Sequence, residues 1–160
     1  MKKTSLIIML VLLVAAAVLW EYRAVMVARS NQPTPVAIAA HIPEKETVTI
    51  GTATVVTEVA RTPAEREEGL SDRDSLGADD GMLFLFDAPD TYNFWMNRMH
   101  FPLDFVWLRN GTVVALTEDV PTPSVIPSAF NAGTPVDAVL EVNVGWIAAH
   151  AVMVGDPAHY

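Results

Sequence analysis

The sequence predicts a mainly β domain, a sandwich or partly open barrel with one short principal helix, preceded by an N-terminal transmembrane helix or signal segment. Three observations carry this. Many short runs rich in Val, Ile, Thr, Phe and Trp are separated by Gly, Pro and Asn breaks. A single stretch, Thr62 to Gly69, carries a helix-start signature. Met1-Lys2-Lys3 leads into an uncharged apolar run from Leu6 to Trp20.

That leader has the basic and apolar regions of an export signal. Ala15-Ala16-Ala17 offers small residues for cleavage, but Val18-Leu19-Trp20 prolongs the apolar run, which favours an uncleaved anchor. From Thr4 to Trp20 a helix reaches roughly 25 Å, slightly short of the ~30 Å hydrocarbon core, so local thinning or extension toward Tyr22 closes the gap. Lys2 and Lys3 stay in the cytoplasm. The expected address is therefore the cell membrane with the domain on the extracytoplasmic side, or secretion if the leader is cut. Residues 1–30 form the leader and residues 31–45, with Pro33, Pro35 and Pro43, an extended linker. Residues 46–160 form a single β-rich domain, enough for one core.

Along that domain, Thr47 to Ala60 is β-branched with a break at Gly51, giving a short strand, a turn and a longer strand. Thr62-Pro63-Ala64-Glu65 is a capping box with proline at the first helical position, and Gly69 closes the helix. Met82 to Phe86 is too short for a helix and reads as a strand buried on both faces. Tyr92 to Met96 continues or partners it. Arg109-Asn110-Gly111 between Phe101–Leu108 and Thr112–Glu118 is the strongest hairpin signal in the chain. Pro121, Pro123 and Pro127 impose a loop. Asp137 to Asn143 and Ala151 to Val154 read as the last strands, around a short turn or helix at Gly145 to His150.

Composition narrows function. Beyond Ser30 there are 6 basic and 18 acidic residues, a net of −12. Such a field disfavours nucleic acid and anionic lipid surfaces, both of which require basic residues. The absence of cysteine excludes disulfides, thiolate metal sites and thiol catalysis. His41, His100, His150 and His159 show no HxH or HExxH spacing, so no metal site is expected, and no cofactor motif is present. The serines lack a nucleophile-elbow context.

The motifs TPAEREEGLSDR (Thr62 to Arg73), GMLFLF (Gly81 to Phe86), FWM (Phe94 to Met96), PLD (Pro102 to Asp104), LEVNVG (Leu140 to Gly145) and VGD (Val154 to Asp156) stand in fixed order. In that succession the chain resembles the domain-of-unknown-function 192 family, also called uncharacterised protein family 0127. The resemblance implies a compact, jelly-roll-like β domain, often exported or membrane-anchored, with no established activity. The chain departs from the family pattern at Ser71, often Met, and at Asn97-Arg98-Met99, usually a Lys-Asn-Thr-like triplet.

Four residues are the candidates for a ligand site. Asp104 and Glu141 are carboxylates set among apolar strand residues, where burial raises pKa and suits acid or base work. The competing reading is strand alternation with one wet face, or a structural ion pair with Arg66 or Arg73. Trp95 alternates with Phe94 and Met96, so it is assigned to a cleft before either neighbour. Arg66 is the expected counter-ion. Two functions follow: a membrane-tethered, monomeric binding domain presenting Trp95, Asp104, Glu141 and Arg66 to a small polar ligand or an exported protein partner, or a carboxylate-pair hydrolase using Asp104 and Glu141 on a glycan-like substrate.

Overall fold

The computed structural model describes residues 44–123 and 129–160. The expected leader, the linker before Glu44 and part of the proline-rich loop lie outside them. Among the described residues no helix is long and apolar enough to cross a membrane.

The domain is mainly β, as expected, with one curled half-barrel sheet and two short helices. Nine strands run in chain order: β1 Lys45–Ile50, β2 Ala53–Ala60, β3 Asp80–Asp90, β4 Phe94–Trp95, β5 Leu103–Arg109, β6 Thr112–Val120, β7 Ala129–Phe130, β8 Val136–Asn143 and β9 Ala158–His159. The helices are α1, Pro63–Glu68, and α2, Trp146–His150. Seven strands make one sheet in the order β6-β5-β8-β3-β2-β1-β9, and β4 pairs with β7 as a separate ribbon.

All pairings are antiparallel except that of β2 with β3. Parallel neighbours require a crossover, and α1 with the following loop supplies it. The capping box forms as its residues dictate. Thr62 Oγ1 accepts from the Glu65 amide and the Glu65 carboxylate accepts from the Thr62 amide at 2.8 Å, while the Gly69 amide closes the helix on the Glu65 carbonyl. The Asn110-Gly111 turn joins β5 to β6 with φ of 48° and 67°, the positive pair that a two-residue hairpin of the right twist needs.

The central strands are buried on both faces, so each carries apolar residues at odd and even positions. One face packs Val48, Val55, Leu83, Val106, Leu108, Leu140 and Val142 against Trp146 and Ile147 of α2. The other packs Met82, Phe84, Phe105, Trp107 and Val139 beneath the β4–β7 ribbon, with Met96 and Met99. Phe94 seats the ribbon: its ring centroid lies 5.0 Å from Phe84, 5.9 Å from Phe105 and 5.5 Å from Trp107, in edge or tilted contacts.

The short turn or helix expected at Gly145 to His150 is the helix α2: Gly145 enters a left-handed conformation (φ 82°) and turns the chain so that Trp146 and Ile147 are buried. One expectation is corrected. The final strand is Ala158–His159, paired with β1 opposite Ile50 and Thr49. Ala151 to Val154 forms no strand, and Met153 and Val154 are exposed.

Candidate functional site

Strand pairing decides what the two buried carboxylates can do. Asp104 lies opposite Val142 of β8, and Glu141 lies opposite the next residue of β5, Phe105. Because side chains alternate, Asp104 belongs with Val106 and Val142 on the α2 face, while Glu141 belongs with Phe105 and Met82 on the ribbon face. The expected pairing of Asp104 and Glu141 in one cleft is therefore not met. The sheet stands between them, and the two-carboxylate hydrolase loses its geometry.

Each carboxylate has its own environment. Asp104 is fully buried and accepts hydrogen bonds from the Asp119 amide at 3.0 Å and the Ile147 amide at 3.2 Å. It ties the end of β6 to the start of α2. Glu141 is 5% exposed and has no hydrogen bond or ion pair to its carboxyl among the described residues. Burial between Met82 and Phe105 pushes its pKa up to about 8.

Neither carboxylate takes Arg66 as counter-ion. Arg66 Nη1 donates to the carbonyls of Leu85, at 2.8 Å, and Arg61, and the guanidinium lies 5.0 Å from the centre of the Phe86 ring. Arg73 instead holds Glu58 through two 2.7 Å bonds, which keep the Glu58 carboxyl below its usual range.

Two of the four candidates do meet. Trp95 and Arg66 line one cleft of about 110 Å³, together with Leu70, Ser71, Phe86 and Tyr92. Its origin is local. Phe94 and Met96 turn into the core, so alternation sends Trp95 outward, where it is 55% exposed. Phe86 and Tyr92 stack at 3.6 Å between centroids with planes 11° apart, a rigid wall that also carries the Arg66 guanidinium. The loop after α1 is fastened to the turn after β4: Ser71 Oγ donates to the Asn97 carbonyl, the Asp72 amide donates to the Arg98 carbonyl, and Arg98 pairs with Asp72 at 3.2 Å. Asp72 and Arg98 both have positive φ, 60° and 57°. Such backbone persists where surrounding bonds hold it and is common beside functional sites.

Phe86 and Tyr92 were missed in the sequence because their partnership depends on where β3 ends and the ribbon begins. Ser71 and Met99, which belong to the two departures from the family pattern, also line the cleft. A wider depression of about 510 Å³ shares Phe86 and is bounded by Asp137 and Tyr160. Its Asp137 is already engaged by the Asn110 amide and the Tyr160 hydroxyl. Among the described residues no group of His, Asp and Glu could hold a metal ion.

The site is thus an exposed aromatic beside an oriented cation on a β domain. The family model described as "Uncharacterized ACR, COG1430" (DUF192) matches residues 46–160, and the chain belongs to that family. Two crystal structures are similar. A protein from Sinorhizobium meliloti 1021, described as a "putative transcription regulator", is 31% identical with a TM-score of 0.69 over 73% of this chain and 94% of its own. A protein of unknown function from Novosphingobium aromaticivorans DSM 12444 is 31% identical with a TM-score of 0.67 over 81% of this chain and 100% of its own. A search of the curated proteins found no match.

Proposed function

We propose that this DUF192 domain is a ligand-binding domain tethered on the extracytoplasmic side of the cell membrane, and that it binds through the Trp95–Arg66 cleft. The observation that carries the reading is the exposed indole of Trp95. Its neighbours Phe94 and Met96 serve the core, whereas Trp95 is more than half exposed and lines the cleft that Arg66 shares. Large exposed aromatics beside a few placed polar groups are the usual make-up of a binding site. The jelly-roll-like, partly open barrel serves as scaffold. The tether rests on Lys2, Lys3 and the apolar run that follows. Transcriptional regulation by contact with nucleic acid is not carried over from the Sinorhizobium protein, since a net of −12 beyond Ser30 opposes it.

The test is ligand-observed NMR on the full chain in detergent micelles, with a panel of neutral, cationic and anionic ring-bearing fragments. Some fragments bind wild type and are lost on Trp95→Ala, with the melting temperature unchanged. A panel in which no binder depends on Trp95 refutes the cleft. In intact spheroplasts, added protease digests the domain; full protection refutes the tether.

A further inference from the structure

We infer that the ligand of this cleft carries a carboxylate on an apolar, ring-bearing body and that Arg66 receives the carboxylate; the inference rests on the cleft reading above. The starting observation is how the fold treats its arginines. Arg61 meets Glu44 at 3.3 Å and Glu46 at 2.5 Å, Arg73 holds Glu58 at 2.7 Å, and Arg98 meets Asp72 at 3.2 Å. Arg66 and Arg109 have no carboxylate partner among the described residues; Arg109 donates at 3.2 Å to the Pro135 carbonyl, away from the cleft, so Arg66 is the one of the two that lines it. Scarcity does not explain this, because the region beyond Ser30 has 18 acidic residues to 6 basic. Glu67 and Glu68 line the same cleft without closing on it.

Arg66 is held instead by neutral groups. Its Nη1 donates to two backbone carbonyls and its plane lies over Phe86. Carbonyls and a ring fix the direction of a guanidinium without cancelling its charge. Nε and Nη2 make no bond among the described residues and remain as a paired donor edge. A planar fork of that kind matches a carboxylate in two parallel bonds, with its orientation already set before binding.

Charge and shape narrow the ligand further. A phosphate dianion would meet Glu67 and Glu68 and the acidic field of the domain with one arginine to offset them, so a monoanion fits better. Phe86, Tyr92, Phe94, Trp95 and Met99 supply apolar walls, and about 110 Å³ accommodates a ring or a single side chain. The same carboxylate comes either from a free small acid or from the C-terminus of an exported polypeptide.

The experiment compares hydrocinnamate with hydrocinnamamide, and Gly-Gly-Phe with its C-terminal amide, as ligands of the full chain in detergent micelles. Each acid binds about tenfold tighter than its amide, the scale of a charge-assisted, bidentate pair. Arg66→Gln removes that difference, while Trp95→Ala weakens acid and amide alike. Tighter binding of the tripeptide than of hydrocinnamate assigns the source to a polypeptide terminus, and the reverse to a small acid. Acids and amides that bind wild type equally, and depend on Trp95, overturn the carboxylate assignment and leave the cleft standing. Probes that show no dependence on Trp95 overturn both. If Arg66→Gln fails to fold, the acid-to-amide ratio on wild type decides.

Discussion

Replacing Glu141 by Gln tests the burial of its carboxyl directly. In the folded domain Glu141 sits between Met82 and Phe105 with no partner among the described residues, and desolvation raises its pKa from 4.5 to about 8. Once the chain unfolds the carboxyl returns to water and ionises near 4.5. Between those two pH values the folded state binds more protons than the unfolded one, so stability falls as pH rises. The contribution is fully present below pH 4.5 and is lost as pH passes through the folded pKa. At about 1.4 kcal/mol per pH unit, the loss reaches roughly 3 kcal/mol at pH 7 and roughly 4 kcal/mol at pH 8, where the folded group is half ionised. That is a large share of the 5–15 kcal/mol typical of a domain.

Glutamine has the shape of the protonated acid and does not titrate. Urea unfolding of the full chain, followed by tryptophan fluorescence from pH 4 to pH 9, therefore gives wild type and Glu141→Gln similar stabilities near pH 4. Above pH 5 the curves diverge, with the variant the more stable, by several kcal/mol at pH 8. Every other titrating group is common to both proteins, so the difference isolates position 141. Parallel curves, or a wild type that is the more stable at pH 8, refute the reasoning and imply that the carboxylate has found a partner.

Three further substitutions check the scaffold by denaturant unfolding. Asp104→Asn exchanges one of two carboxylate acceptors for an amide donor facing the Asp119 or Ile147 amide, and costs roughly 1–3 kcal/mol; an unchanged midpoint removes its structural role. Gly81→Ala places a Cβ 2.8 Å from the Glu141 carbonyl oxygen, across the β3–β8 ladder, and costs roughly 1–3 kcal/mol as the strands separate; a neutral effect shows that the ladder can yield. Thr62→Ala removes the cap of α1 and costs about 1 kcal/mol, less if solvent replaces it at this exposed site.

What was legible in the sequence is what short-range chemistry decides. The capping box at Thr62 and Glu65, the Asn110-Gly111 turn and the outward Trp95 depend on neighbours within a few residues, and each is where the residues put it. What was not legible depends on partners distant in the chain. β9 is two residues after Pro157, with no strand propensity of its own to announce it, and exists because β1 offers Thr49 and Ile50 as partners. The apolar run Ala151 to Val154 finds no such partner, so its pattern alone makes no strand.

The same distinction separates the two carboxylates. Alternation within β5 and within β8 could be read correctly for each strand, yet the site depends on the register between them. Asp104 opposite Glu141 would have placed both on one face; the observed offset of a single residue, Phe105 opposite Glu141, places them on two. Burial alone does not then say what a carboxylate is for. Asp104 has two amide donors and no opening toward solvent, so its charge is consumed in joining β6 to α2. Arg66 shows the opposite economy, with its geometry fixed by neutral carbonyls and no carboxylate paired with it among the described residues, beside an exposed tryptophan. A charge that the fold orients but does not neutralise is available to a ligand, and that criterion selects the Arg66 cleft over either buried acid.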